Sequence, residues 1–155
     1  MAATPRHRVF VYGTLKRGHY NHPTLATFGA RMVGPGRSVE ARPMVVHPQW
    51  GFPFVLDSPR FRGEGLRLAG EVWEVDDRGM EALDELEGVA VGLYRRAGVE
   101  VELEGGGGTV EAEWYVEGGS LEDKLAGLPM MDEYTKAVED ELYVPKNLRS
   151  AKGEA

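Results

Sequence analysis

Short apolar blocks recur along the chain, and most of them have the spacing of β-strands. Residues 9–11 are a short apolar run, and residues 69–75 (AGEVWEV) alternate apolar and polar side chains. Residues 98–116 alternate in the same way on both sides of four glycines, which predicts a β-hairpin with a glycine-rich tip. Within residues 34–59, recurring glycines and prolines separate the pieces MVV and FVL, which favours small strands and loops.

Helical signals occur in three further segments. Residues 21–29 (NHPTLATFG) have a proline in the first turn and a glycine at the end, and residues 131–142 predict a helix in the tail. The clearest helix covers residues 76–88 (DDRGMEALDELEG), with aspartates at its start and Gly88 at its end. Several strands with two or three helices predict an α+β fold, in which the sheet curls into a small mixed β-barrel with flanking helices.

Length and composition indicate one globular domain. The 155 residues include 42% hydrophobic and 28% charged side chains and contain no repeat or linker, so we expect one domain over residues 1–155 with a variable tail from about residue 118. The net charge of −7 argues against a nucleic-acid partner. Because no apolar run approaches the roughly 18 residues of a membrane span and the N-terminus has no signal-peptide pattern, we expect a cytoplasmic protein without a membrane partner.

Two patterns that can indicate a cofactor or metal are unfavourable in this sequence. The glycines at residues 105–108 are followed by a strand and surrounded by glutamates, whereas a phosphate-binding loop precedes a helix and usually carries a lysine. The four histidines are scattered, no cysteine is present, and no HExxH pattern occurs. We therefore expect neither a cofactor nor a metal.

The helix predicted over residues 76–88 places an acid in an unexpected position. Met80, Leu83 and Leu86 form one apolar stripe, and Glu87 falls inside that stripe. Burial and the negative end of the helix dipole would both raise the pKa of Glu87, so that it could exchange a proton near neutral pH. The alternative is that the last helical turn frays and Glu87 reaches solvent.

The segment VFVYGTLKRG, residues 9–18, is the second unusual feature. A short strand ends at the pair Tyr12 and Gly13, and two cations, Lys16 and Arg17, follow at once. One interpretation is a turn whose backbone N–H groups face a ligand, with Gly13 allowing the backbone to come close. The other is an ordinary exit from a strand, in which the glycine serves only the turn.

The motifs VFVYGTLKRG, NHPTL, GEVWEVDD, LDELEGV and LYRR, in this order, resemble the γ-glutamylcyclotransferase-like family. The chain is most similar to its γ-glutamylamine cyclotransferase branch, which includes AIG2-like proteins. The resemblance covers about residues 9–116, with a weaker similarity in YVPKNLR at residues 143–149. It implies a small β-barrel with a cavity at one end, and conversion of a small γ-glutamyl substrate to 5-oxoproline and a free amine without metal or cofactor.

The resemblance also implies roles for individual residues. Glu87 would be the catalytic residue, which takes a proton from the substrate's α-ammonium group and delivers it to the leaving nitrogen. The YGTL loop would bind the γ-glutamyl group, mainly through backbone N–H groups, and consists of Tyr12, Gly13, Thr14 and Leu15. Tyr94, in LYRR, would orient the glutamyl group or the acid; the alternative is that it packs beside the next strand.

Further site residues and two other functions remain open at this stage. Lys16 and Arg17 could steer an anionic substrate, and Tyr143 could lie near the cavity. A second enzymatic interpretation is removal of a γ-glutamyl group from a biosynthetic intermediate or a γ-glutamyl amino acid. A non-catalytic ligand-binding module on the same barrel is an interpretation of a different class, against which the presence of Glu87 argues. An acidic protein-interaction domain would show exposed apolar stripes, whereas the stripes here have the pattern of core.

Overall fold

A closed β-barrel of five strands forms the centre of the protein in a computed structural model that describes residues 6–149. The strand order around the barrel is β1–β5–β2–β6–β7, and a parallel contact between β7 and β1 closes it. Strands β3 and β4 form a separate two-stranded sheet. The seven strands, in chain order, are β1 Arg6–Val11, β2 Arg31–Ser38, β3 Met44–Val46, β4 Pro53–Val55, β5 Ala69–Asp76, β6 Tyr94–Leu103 and β7 Thr109–Glu117.

Helices flank the barrel, and the predicted α+β fold is confirmed. The α-helices are α1 His22–Thr27, α2 Asp77–Leu86, α3 Glu122–Leu125, α4 Lys136–Leu142 and α5 Lys146–Arg149. Helix α4 is shorter than the predicted tail helix because Thr135 caps it: the hydroxyl oxygen accepts a hydrogen bond from the backbone N–H of Val138 at 3.2 Å. Among the described residues, no helix has both the length and the apolar character needed to cross a membrane.

Strand β2 is longer than the glycine and proline pattern predicted. It runs through Gly34 and Gly36 and pairs with both β5 and β6, with a register shift between Met32 and Gly34. A Cβ atom on Gly36 would lie 2.5 Å from the carbonyl oxygen of Glu102, so the neighbouring strand comes too close for any side chain. Glycine therefore marks a close approach inside the barrel wall here, and a strand continues through it.

The buried apolar residues form two clusters that follow the alternation of the strands. Val9 of β1 belongs to the cluster that contains Met80 and Leu83 of helix α2. Its neighbour Phe10 belongs to the other cluster, with Trp114 of β7, and the two rings are 6.0 Å apart. Adjacent residues of one strand thus anchor α2 on one side and pack the other cluster on the opposite side.

Candidate active site

A cavity of about 460 Å³ lies where the chain leaves β1. Its wall is built by the loop between β1 and α1, the segment entering β4, the end of α2, the start of β6 and the tail after α4. This size and a mainly apolar and aromatic wall with few polar groups are typical of sites for small molecules. The cavity therefore has the size and the lining of a binding site for a small molecule.

Glu87 reaches this cavity from the end of helix α2. The carboxylate of Asp76 caps the start of the helix by accepting a hydrogen bond from the N–H of Gly79 at 2.9 Å. At the other end, the N–H of Glu87 donates to the carbonyl oxygen of Leu83 at 2.9 Å, and Gly88 turns the chain away with φ of 65°. The last turn is closed, which does not match the alternative in which it frays.

The side chain of Glu87 lies in the wall of the cavity, and the residue is partly exposed. Among the described residues, no side chain or backbone group donates a hydrogen bond to it and no cation forms an ion pair with it within 4.0 Å. Burial raises the pKa of Glu87 to about 8, and the more distant positive charge of Arg149 opposes this effect. Glu81 and Glu85 of the same helix, in contrast, are exposed. Glu87 can therefore exchange a proton near neutral pH.

The loop after β1 supplies hydrogen-bond donors to the same cavity. Its turn is held by a bond from the N–H of Lys16 to the carbonyl oxygen of Gly13 (3.2 Å) and by one from Asn21 to Thr14 (2.8 Å). The N–H groups of Gly13, Thr14 and Leu15 have no acceptor among the described residues, although all three residues line the cavity. Consecutive N–H groups of this kind can bind a carboxylate or a developing oxyanion.

Gly13 is needed where the loop passes the segment that enters β4. A Cβ atom on Gly13 would lie 2.7 Å from Cγ of Pro53, which is closer than two such carbons can approach. Its φ is not among the positive values found at other glycines. The absence of a side chain, and not an unusual backbone conformation, is therefore what this position requires.

Two tyrosines form the buried part of the wall. The hydroxyl of Tyr12 donates to the carbonyl oxygen of Tyr115, and the hydroxyl of Tyr94 donates to that of Pro53 at 2.6 Å. The ring of Tyr94 also stacks on Phe54, with centroids 4.5 Å apart. Tyr94 thus lines the cavity and also packs in the core, and its hydroxyl proton is donated to the backbone of Pro53 and not to Glu87.

The two cations after the YGTL loop do not line the cavity. Lys16 is buried, and its ammonium group donates to the carbonyl oxygen of Tyr134 at 2.7 Å. Arg17 is exposed, and its guanidinium lies 3.7 Å from the carboxylate of Glu71. The ammonium group of Lys16 points toward the tail, and neither Lys16 nor Arg17 lines the cavity.

The tail contributes Tyr143 and Arg149 to the cavity. The Tyr143 hydroxyl accepts one hydrogen bond from the side-chain amide of Asn21 at 3.3 Å and another from Nη2 of Arg149 at 3.2 Å. The Asn21 amide also donates to the hydroxyl of Thr14 at 2.9 Å, which joins the tail to the YGTL loop. The sequence indicated Tyr143 but not Asn21 or Arg149, although both lie inside the motifs NHPTL and YVPKNLR.

Comparisons with known proteins agree with this arrangement. The sequence model of the family described as "Gamma-glutamyl cyclotransferase, AIG2-like" matches residues 9–136. A γ-glutamylaminecyclotransferase from Bos taurus is 37% identical over 129 residues, which cover 81% of this chain and 74% of that protein. One from Rattus norvegicus is 40% identical over 110 residues, covering 64% and 68%. The crystal structure of an AIG2-like protein from Mus musculus has a TM-score of 0.80 and 28% identity over 91% of this chain and 97% of that one. The chain therefore belongs to the AIG2-like γ-glutamyl cyclotransferase family.

Proposed function

We propose that this enzyme converts γ-glutamyl amines, such as γ-glutamyl-ε-lysine, to 5-oxoproline and the free amine. The bovine and rat relatives are named γ-glutamylaminecyclotransferases, which supports an amine as the leaving group. The observation that carries the proposal is the unpaired carboxylate of Glu87, whose pKa is raised to about 8, in the wall of a cavity of small-molecule size. Such a group is available to a substrate because it has no structural partner to hold it.

The reaction is an acyl transfer within the substrate. The α-amine nitrogen attacks the γ-carbonyl carbon, a new C–N bond closes the five-membered lactam, and the bond to the leaving nitrogen breaks. The α-amine cannot attack while it is an ammonium group, so Glu87 first accepts its proton. The same carboxyl group then delivers that proton to the departing amine. The attacking nitrogen loses a second proton as the lactam forms, and the free amine takes it up and leaves as an ammonium group. Atoms and charge balance without water, an oxidant or a reductant, as in a lyase-type cleavage.

Binding the glutamyl group in a folded conformation supplies the rest of the rate enhancement. The N–H groups of Gly13, Thr14 and Leu15 are the donors for the substrate's α-carboxylate or for the oxyanion that forms at the γ-carbonyl. The rings of Tyr12 and Tyr94 shape the buried wall and exclude water. Holding the α-amine against the γ-carbonyl removes the entropic cost of bringing the two groups together, which can raise the rate by several powers of ten.

The other interpretations are not favoured. A module that only binds a ligand has no need of a carboxylate with a raised pKa in the wall of the cavity, because burying an unpaired acid is costly. The lysine derivative is placed ahead of a specialised biosynthetic intermediate because the bovine and rat relatives are named for amines.

Release of 5-oxoproline from a panel of substrates tests the proposal. The panel consists of γ-glutamyl-ε-lysine, γ-glutamyl-alanine and glutathione, with 5-oxoproline and the free amine measured together. We expect the lysine derivative to give equal amounts of 5-oxoproline and lysine, and to be a better substrate than glutathione. Folded protein that releases no 5-oxoproline from any γ-glutamyl amine would overturn the proposal.

A further inference from the structure

The cavity contains a positive charge that the proposed reaction does not use. Among the described residues that line it, Glu87 is the one acid and Arg149 the one base. Glu87 moves the proton, and the N–H groups after β1 serve the glutamyl group. The guanidinium of Arg149 therefore has no role in the reaction as described. Other arginines of this acidic protein, whose net charge is −7, form ion pairs with carboxylates.

Three contacts hold the guanidinium of Arg149 in place. Its Nε donates to the carbonyl oxygen of Val144 at 3.0 Å, and its Nη2 donates to the hydroxyl of Tyr143 at 3.2 Å. Its central carbon lies 4.5 Å above the ring centroid of Phe52, a cation–π contact. No acid of the described chain pairs with it, and its Nη1 has no acceptor there. The side chain is fixed, yet part of its donor capacity is unused.

Arg149 lies at the open rim of the cavity and not at its floor. Tyr12 and Tyr94 at the floor are buried, whereas Tyr143 and Arg149 are partly exposed and Tyr20 is 52% exposed. The rings of Tyr20 and Tyr143 are 4.8 Å apart, so the tail and the loop after β1 form this rim together. The glutamyl group must occupy the inner part to reach the N–H donors, which leaves the rim to the amine that departs.

We propose that Arg149 determines specificity by binding a carboxylate on the leaving amine. The preferred substrates would then be γ-glutamyl derivatives of amino acids attached through an amine, in preference to γ-glutamyl derivatives of simple diamines. The physical basis is the match between a fixed guanidinium and a carboxylate, which form short, charge-assisted hydrogen bonds. The inference rests on the proposed function, because only a cyclotransferase reaction has a leaving amine.

A different role for Arg149 would be to bind the α-carboxylate of the glutamyl group. That carboxylate is common to every γ-glutamyl substrate, and the three N–H groups of Gly13, Thr14 and Leu15 already offer it donors deeper in the cavity. The two roles make different predictions for a pair of substrates that differ only in the leaving amine.

The test uses γ-glutamyl-ε-lysine and the γ-glutamyl derivative of 1,5-diaminopentane, which lacks only the lysine carboxylate. Wild type, Arg149→Gln and Arg149→Lys are compared, with Arg31→Gln as the control that removes an exposed positive charge outside the cavity. Each protein is assayed at its own pH optimum, so that a change in the ionisation of Glu87 does not enter the comparison. Circular dichroism verifies the fold of each variant.

We expect Arg149→Gln to lower kcat/KM for the lysine derivative about 10- to 100-fold, mainly through KM, since bonds to a charged group are of this strength. The diaminopentane derivative should change less than about threefold, Arg149→Lys should recover part of the loss, and Arg31→Gln should match wild type. Equal losses on both substrates would overturn the inference in favour of the glutamyl carboxylate, and no loss on either would overturn it outright. Wild type that turns over neither substrate would overturn the proposed function itself.

Discussion

The carboxyl group of Glu87 and the guanidinium of Arg149 face one cavity, the first from the end of α2 and the second from the tail of the chain. Burial raises the pKa of Glu87 to about 8, while the positive charge of Arg149 holds it lower than burial alone would. The residue proposed as the base is therefore tuned by a residue about sixty positions away in the sequence. This relationship connects the tail to the chemistry as well as to the shape of the site.

The pH dependence of kcat/KM should report the ionisation of Glu87. Because the ionised form accepts the proton of the substrate's ammonium group, kcat/KM should rise about tenfold per pH unit up to about pH 8. It should fall again where the substrate's own ammonium group loses its proton. In Arg149→Gln the acidic limb should move to higher pH, since loss of a positive charge disfavours the carboxylate, and Arg31→Gln should leave it in place. An acidic limb at the ordinary glutamate pKa would contradict this account.

The same raised pKa has a consequence for stability. Between the unfolded value of 4.5 and the folded value of about 8, the folded protein keeps a proton that the unfolded chain has lost. The contribution of Glu87 to the free energy of unfolding is therefore complete below pH 4.5 and declines as the pH rises to about 8. Glu87→Gln should match wild type near pH 4.5 and be more stable at pH 8.5, on the order of 4–5 kcal/mol, because each pKa unit between 4.5 and about 8 corresponds to about 1.4 kcal/mol. Urea unfolding at both pH values measures this, and a difference independent of pH would contradict it.

Gly13 should tolerate no side chain. In Gly13→Ala, the new Cβ atom would lie 2.7 Å from Cγ of Pro53, which is too close for two carbon atoms. The loop or the wall of the cavity must therefore move. We expect a loss of about 1–3 kcal/mol in the free energy of unfolding and at least a tenfold loss of kcat/KM. Gly98→Ala is the matched control, because a Cβ there meets nothing within 4 Å. If the two variants behave alike in urea unfolding and turnover, the close approach is not what requires glycine.

Glu139 of α4 should fix the rim of the cavity. It is buried, both its carboxylate oxygens accept from the N–H of Tyr20 at 3.1 Å, and Lys136 donates to it at 2.9 Å. Glu139→Ala leaves these donors without an acceptor, so we expect a loss of about 2–3 kcal/mol and a higher KM with a smaller change in kcat. Glu141→Ala, at an exposed position of the same helix, should change stability by less than about 0.5 kcal/mol. An unchanged KM in a folded Glu139→Ala variant would show that the rim of the cavity does not depend on the hydrogen bonds of Glu139.

Features with local signals could be predicted from the sequence. The alternation of residues 69–75 and 98–116 corresponds to β5, β6 and β7, because a strand with one buried face repeats every two residues. The periodicity of α2 predicted the position of Glu87 on the helix. In the structure, α2 ends at Leu86 and the chain turns at Gly88. Capping and periodicity act within a few residues, so they can be read from the chain alone.

Features that depend on distant contacts could not be predicted in this way. The continuous strand β2 exists because β5 and β6 pair with it on both sides, whatever its glycines favour locally. The ammonium group of Lys16 donates a hydrogen bond to the carbonyl oxygen of Tyr134, which is 118 residues away in the sequence. Lys16 therefore does not line the cavity. Arg149 enters the cavity only because the tail returns across the barrel, and no local pattern marks it.

Turnover by Glu87→Gln tests the central claim most directly. The substitution keeps the size of the side chain but cannot accept the proton, and Glu81→Gln makes the same change at an exposed position of the same helix. Release of 5-oxoproline from γ-glutamyl-ε-lysine is measured for wild type and both variants, with circular dichroism to verify folding. We predict a loss of at least about 100-fold in kcat for Glu87→Gln and none for Glu81→Gln. A folded Glu87→Gln variant that keeps more than about a tenth of wild-type kcat would contradict the account.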